Sequence, residues 1–191
     1  MSSRSDTATV LVADDEQEVA DVYALRLRDE YDTQVAYGGE DALAQIDVGV
    51  DVVLLDRRMP DISGDEVLDR IREEGYDCRV IMLTAVDPGL DIVEMSFDDY
   101  LCKPVAKADL VEAIDQQLRI QRYDDQLSEY LEVTSKLALL EAELPLQQIG
   151  ENEDIVALRE RADRLEAEMA GVFENLEDIE STFRDIGRHP G

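Results

Sequence analysis

DVVLLDRRMPDISG, residues 51–64, reads as a strand, a loop and the first turn of a helix. Val52 to Leu55 are apolar without interruption, the pattern of a parallel strand covered on both faces; a half-exposed strand would alternate. Asp56 closes the run, Pro60 and Ser63-Gly64 punctuate the turn, and Val67, Leu68 and Ile71 then recur at helical spacing. The same grammar extends in both directions. Strands are expected at TVLVA (9–13), TQVAY (33–37), DVVLLD (51–56), RVIMLT (79–84) and DYLCK (99–103). Between them, Val19, Val22, Leu25 and Leu27 mark a first helix, and Ala42, Leu43 and Ile46 a second. Ile92, Val93 and Met95 mark a short fourth, and Gly38-Gly39 and Pro88-Gly89 mark turns. Strand and helix alternating with short connections predict an α/β fold: a (βα)5 doubly wound, parallel, five-stranded sheet of flavodoxin-like type with right-handed crossovers.

In such a sheet the C-terminal strand ends converge on one edge, where ligands bind. Here those ends carry Asp14-Asp15, Asp56, Thr84 and Lys103. An adjacent pair of acids is weak on its own, because a chain this acidic should contain about a dozen by composition. Acids at two strand ends, with a hydroxyl at a third and a lysine before Pro104 at a fourth, form a far more specific pattern. Three carboxylates, a hydroxyl and an ammonium in one pocket suit a divalent cation and a phosphoryl group. A carboxylate attacking a phosphoryl group meets a like charge, and neighbouring carboxylates raise one another's pKa. Mg²⁺, bound through carboxylates, relieves both effects. Lys103 would add a fixed point charge, and Thr84 a hydroxyl that bonds the phosphoryl group once it is attached.

After Pro104 the pattern changes. From Lys107 to Leu144 there is neither proline nor glycine, and a helix is expected. Leu110, Ala113, Ile114 and Leu118 would face the sheet. Tyr123, Tyr130, Val133, Leu137, Leu140 and Leu144 continue at mostly seven-residue phasing. PLQQIG (145–150) breaks the helix. Ile155, Leu158, Ala162, Leu165, Met169, Val172, Leu176, Ile179, Phe183 and Ile186 then alternate spacings of three and four, an a/d seam that must be buried in a helical hairpin or between chains. Gly187 and Pro190 end it.

The chain has 191 residues, of which 45% are hydrophobic, enough for a core. Acids number 47 against 18 basic residues, only three of them lysine, for a net charge of −29. Such self-repulsion opposes compactness unless salt screens it; at molar ionic strength the Debye length is about 3 Å. Acids spread along the whole chain with scarce lysine point to a salt-in halophile. The same charge disfavours nucleic acids and anionic membranes as direct partners. Two cysteines, Cys78 and Cys102, make no disulfide framework and read as buried thiols in a reducing compartment. MSSRSDTAT lacks an apolar signal core and no run approaches membrane-spanning length, so a cytoplasmic location is expected. His189, the only histidine, sits in a terminal RHPG and reads as solvated.

DVVLLDRRMPDISG, VLVADD, IMLTA and DDYLCKP resemble the receiver domain of two-component response regulators. The resemblance implies that Asp56 is the phospho-acceptor, supplied by a sensor histidine kinase. It further implies that Asp14, Asp15, Asp56 and the backbone carbonyl of Arg58 hold Mg²⁺, and that Lys103 assists the chemistry at Asp56. Thr84 and Tyr100 match the switch residues, and Lys103 precedes what is usually a cis proline. SFDDY departs from the commoner small-residue GADDY, and Arg58 is an unusual neighbour for the acceptor. SKLALLEAEL, the heptad helix and TFRDIG resemble the HalX family of haloarchaeal regulators. The expected organisation is a receiver at 8–122, a helical domain at 123–187, and flexible tails at 1–7 and 188–191. The function these resemblances imply is phosphorelay signalling, with the helical module as output and a homodimer through the C-terminal helices as one way to complete its seam. The protein would be a switch that catalyses only its own phosphorylation and dephosphorylation. An alternative is a DNA-binding transcriptional regulator, for which no helix-turn-helix or basic recognition helix is visible, although Arg159, Arg161 and Arg164 cluster. Another is an aspartyl-phosphate phosphatase, whose second acid two residues after the nucleophile is replaced here by Arg58.

Overall fold

The computed structural model describes residues 7–85, 94–143 and 152–186, with side chains in its last two helices as far as Leu140 and Ala170. Its elements are β1 (Thr9–Ala13), α1 (Gln17–Leu27), β2 (Asp32–Ala36), α2 (Gly39–Gln45), β3 (Val52–Asp56), α3 (Gly64–Glu73), β4 (Arg79–Thr84), β5 (Asp99–Cys102), α4 (Lys107–Glu143) and α5 (Glu153–Ile186). The expected fourth helix around Ile92 and Val93 lies outside the described residues, as do Leu144, the break at 145–150 and His189.

The five strands form one parallel sheet in the order β2-β1-β3-β4-β5. β3 is buried at every position and β4 at all but its first, as their unbroken apolar runs require. Successive side chains feed opposite faces. Val10, Val12, Val52, Leu54, Ile81 and Leu83 meet α1 and the first part of α4 on one face. Leu11, Ala13, Val53, Leu55, Val80 and Met82 meet α2 and α3 on the other. Each fully buried Leu, Val or Ile contributes roughly 1.5–3 kcal/mol, and the central strands supply most of them. Helix α3 starts on Ser63, whose Oγ accepts a hydrogen bond from the backbone N–H of Glu66, with Asp65 and Glu66 at its positive end.

Two expectations need correction, and the residues that marked the first helix divide between its two faces. α1 does not bury Val22 and Leu25, which are 44% and 53% exposed; its inner face is Ala20, Tyr23, Ala24 and Leu27. The Ala20–Ala24 pair on that face is small, while Val22 and Leu25 share the outer side with Glu18, Asp21 and Arg26. Tyr37 falls outside β2 and is exposed, its hydroxyl donating to Asp21 Oδ1 at 2.8 Å. Cys78 is buried, and its thiol pKa is pushed up to about 11 by that burial, but Cys102 is exposed. The reason is topological: β5 is an edge strand, and its last position is open to solvent.

The chain divides into two compact units, Met1–Arg119 and Ile120–Gly191, with α4 running through the division. In the second unit, Tyr130, Val133, Leu137 and Leu140 of α4 pack with Ile155, Leu158, Ala162 and Leu165 of α5. This is the expected hairpin seam over its described part. Arg161 forks onto Glu129, with both N–H···O distances 2.7 Å, and Gln126 Nε2 donates to Glu168 Oε2 at 3.0 Å. Both bonds link α4 to α5. No helix among the described residues is long and apolar enough to cross a membrane.

Candidate phosphoryl and metal site

Four of the residues singled out in the sequence meet at the C-terminal edge of the sheet. Asp14 follows β1 and is 1% exposed; Asp56 ends β3 and is 6% exposed. One carboxylate oxygen from each of Asp14, Asp15 and Asp56 lies within 4.8 Å of the others. The ammonium of Lys103 donates to Asp14 Oδ2 at 2.6 Å and to Asp56 Oδ1 at 2.7 Å. The two remaining oxygens of the inner acids take backbone donors. The N–H of Glu16 reaches Asp14 Oδ1 at 2.9 Å, and that of Arg58 reaches Asp56 Oδ2 at 3.0 Å. Both carboxylates are therefore held in fixed orientation by groups on different elements.

The strand register explains why these residues converge. β1 lies between β2 and β3, so Asp14 and Asp56 leave adjacent strand ends on the same side of the sheet. Thr84 pairs with Cys102 across β4 and β5, and the N–H of Lys103 donates to the carbonyl of Thr84 at 2.6 Å. That bond sets the start of the Lys103 side chain beside the end of β4. The Lys103–Pro104 peptide is cis, as expected. Thr84 is buried, at 1% exposure. Tyr100 sits on β5 opposite Met82, half-buried, with its ring 5.5 Å from that of Phe97. The side chain of Arg58 is exposed, while its backbone faces Asp56.

The electrostatics are those of acids forced together with one cation. Burial holds Asp56 above its ordinary carboxylate value, and the nearby Asp14 charge adds to this. Hydrogen bonds from Lys103 and the Arg58 N–H pull the other way without overcoming burial. For Lys103 burial favours the neutral amine, yet the hydrogen bonds to Asp14 and Asp56 and their charges together raise it above its ordinary value. Lys103 thus stays an ammonium wherever the acids are ionised. The donor set offered to a metal is all oxygen, from three carboxylates, which matches a hard divalent cation and not a soft one.

Sequence reasoning passed over several residues that hold this site. Asp98 accepts from Arg72 at 2.6 Å, from Arg79 at 3.0 Å and from the N–H of Val80 at 2.7 Å, tying α3 and β4 to the segment before β5. The signal was present in SFDDY, where an acid immediately precedes a strand whose neighbour opens with arginine. Gly64 is another. A Cβ there would lie 2.2 Å from the carbonyl oxygen of Asp56 and 2.8 Å from Arg57 Cα, so only glycine lets α3 start against the end of β3.

The comparisons agree with this arrangement. Residues 10–115 match the family described as Response regulator receiver domain, and residues 119–186 match the HalX domain. A Haloferax volcanii protein named "Putative transcriptional regulator" is 42% identical over 175 residues, 91% of this chain, and the chain spans 30% of that protein's length. A CheY-like receiver domain protein from Methanospirillum hungatei superposes with a TM-score of 0.58 at 26% identity, covering 62% of this chain and 99% of that one. The response regulator TrrA of Thermotoga maritima, solved in complex with Mg(2+)-BeF, gives a TM-score of 0.50 at 30% identity, covering 58% of this chain and 98% of the other. With the sheet order, the acid cluster and the lysine at one edge all in place, the chain belongs to the response regulator receiver family.

Proposed function

We propose that this protein is a phosphorylation switch in which Asp56 accepts a phosphoryl group from a sensor histidine kinase, with Mg²⁺ as the metal. The observation that carries the reading is the ammonium of Lys103 bridging Asp14 and Asp56 at 2.6 and 2.7 Å, beside a third carboxylate from Asp15. Asp14, Asp15, Asp56 and the backbone carbonyl of Arg58 would hold the ion. Bound there, it supplies positive charge that offsets repulsion between the acids and the incoming phosphoryl oxygens.

The residues of the chain do the rest. One oxygen of Asp56 attacks phosphorus; the O–P bond forms as the P–N bond of the phosphohistidine breaks, and the leaving imidazole retains the bonding pair and takes a proton. Lys103 is already oriented by two acids, so it can shift onto the phosphoryl oxygens with little loss of freedom. Thr84 provides a buried hydroxyl at the end of β4 for the attached group, and Tyr100 on the neighbouring strand is the aromatic that repacks in response. The receiver is assigned to 8–122 and the helical output to 123–187, with 1–7 and 188–191 as tails. A second copy would complete the output seam.

Incubation with acetyl phosphate and Mg²⁺ should add one acid-labile phosphoryl group, and Asp56→Asn should prevent it. Equal labelling of that variant, measured by intact mass, would overturn the assignment. The name of the Haloferax relative favours a second reading of the output as transcriptional control. Against direct DNA contact, Arg161 is committed to Glu129 and the chain is strongly acidic. A saturable, sequence-dependent footprint at high salt would favour the second reading.

A further inference from the structure

The residue after the acceptor is fixed from three directions. The N–H of Arg57 donates to the carbonyl of Leu83 on β4 at 3.0 Å, and the carbonyl of Arg57 accepts from the N–H of Gly64 at 3.0 Å. Its guanidinium forks onto Asp65 in the first turn of α3, with Nε to Oδ1 at 3.0 Å and Nη2 to Oδ2 at 3.1 Å. The Arg57 side chain is 17% exposed and that of Asp65 43%. Residues 58–63 are thereby closed into a loop whose two ends are joined by one backbone bond and one two-pronged ion pair. Within it the N–H of Ile62 turns back to the carbonyl of Pro60 at 2.8 Å, Asp61 sits at φ 65°, and Met59 is buried. The Arg58 N–H, at the start of this loop, holds Asp56 Oδ2.

We infer that the Arg57–Asp65 pair is a positioning device for the metal site, clamping the loop so that the Arg58 backbone is presented to Asp56 before any ligand arrives. This rests on the reading of the site given above. An ion pair open to solvent on its Asp65 side adds little to global stability. A bidentate Arg–carboxylate pair does add geometric definition, which a lysine at position 57 cannot reproduce. Groups that orient metal ligands without touching the metal typically change affinity by about 10- to 100-fold when lost. Because the loop has its backbone closure as well, the low end is expected.

The test uses the full chain at fixed ionic strength. Arg57→Gln and Asp65→Asn should each weaken Mg²⁺ binding, measured by calorimetric titration, by about tenfold. In the metal-free protein the amide of Arg58 should exchange faster with deuterium in both variants. The double variant should be no worse than either single one, since both remove the same pair. Arg57→Lys should fall in between. At saturating Mg²⁺ the acetyl phosphate labelling rate should return to within about twofold of wild type, because the acid and the lysine are untouched. Unchanged Mg²⁺ affinity and unchanged exchange at Arg58 would overturn the inference, as would additive losses in the double variant. If the unmodified protein binds Mg²⁺ but Asp56 is never labelled, it is the phosphoryl-acceptor reading that fails, while the titration and exchange results still decide the clamp.

Discussion

Replacing Lys103 by methionine removes the ammonium between Asp14 and Asp56 but keeps a side chain of similar length. Two carboxylates, 1% and 6% exposed, would then face each other without a cation. Removing one partner of a buried pair costs roughly 3–5 kcal/mol, and the lower end applies because the Lys103 side chain retains 14% exposure. The pH dependence has a definite sign. Asp56 is held above its ordinary value of 3.8, first of all by burial. Its contribution to stability is present below about pH 4 and is lost as pH rises through the raised folded-state value. At neutral pH the ionised Asp56 is therefore a cost that Lys103 offsets. Urea unfolding of Lys103→Met, compared with wild type without metal, should show a loss of about 3 kcal/mol near pH 7 that shrinks as the pH falls and Asp56 takes up a proton. Mg²⁺ should rescue the variant more than the parent, because the extra negative charge tightens its binding; at 100-fold excess over Kd the gain is about 2.7 kcal/mol. A loss that grows on acidification would refute this electrostatic account, and so would no loss at all.

Thermal unfolding should shift to higher temperature as KCl rises from about 0.1 M to molar levels, since a net charge of −29 is screened over a shorter length. A salt-independent midpoint would remove the proposed adaptation to high salt. Leu165→Asp places a charge at a fully buried position of the second unit's core and should cost about 4 kcal/mol or more there. Circular dichroism should then lose helicity while Asp56 labelling persists; loss of labelling would show that the helices belong to the receiver's core. Gly64→Ala drives a methyl into the Asp56 carbonyl and should cost about 1–3 kcal/mol and slow phosphorylation, read by melting and by labelling rate.

The sheet was legible in the sequence because a parallel strand buried on both faces leaves an unbroken apolar run, and β3 and β4 do so. The site was legible because topology gathers strand ends, so Asp14, Asp56 and Lys103 needed only their positions to be found. The inner face of α1 was not. Ala20, Tyr23, Ala24 and Leu27 pack inward while Val22 and Leu25 look outward, so residue type alone does not separate the two faces. Exposed Cys102 escaped notice because nothing in DYLCK says that its strand lies at an edge. The Arg57–Asp65 pair was hidden for a different reason. In a chain with 47 acids an arginine has many candidate partners along the sequence, and only the fold says which ones meet.

That abundance of acids sharpens the question of how one acidic pocket can be special. All three lysines are paired with carboxylates: Lys103 with Asp14 and Asp56, Lys107 with Glu30, and Lys136 with Glu132. The last two are surface pairs of small worth, open to competition from solvent cations. A uniformly negative surface attracts monovalent and divalent ions alike, and in molar KCl potassium is in great excess. Charge alone therefore cannot select a divalent ion at the strand ends. What differs there is that the inner two carboxylates are buried, fixed by backbone donors, and already share one internal cation. Burial weakens screening at short range, so a divalent ion that engages three convergent oxygens gains more than a monovalent one. On the proposed reading, selectivity for Mg²⁺ would be a property of this rigid geometry, and changes that loosen it should cost Mg²⁺ binding most steeply at high potassium.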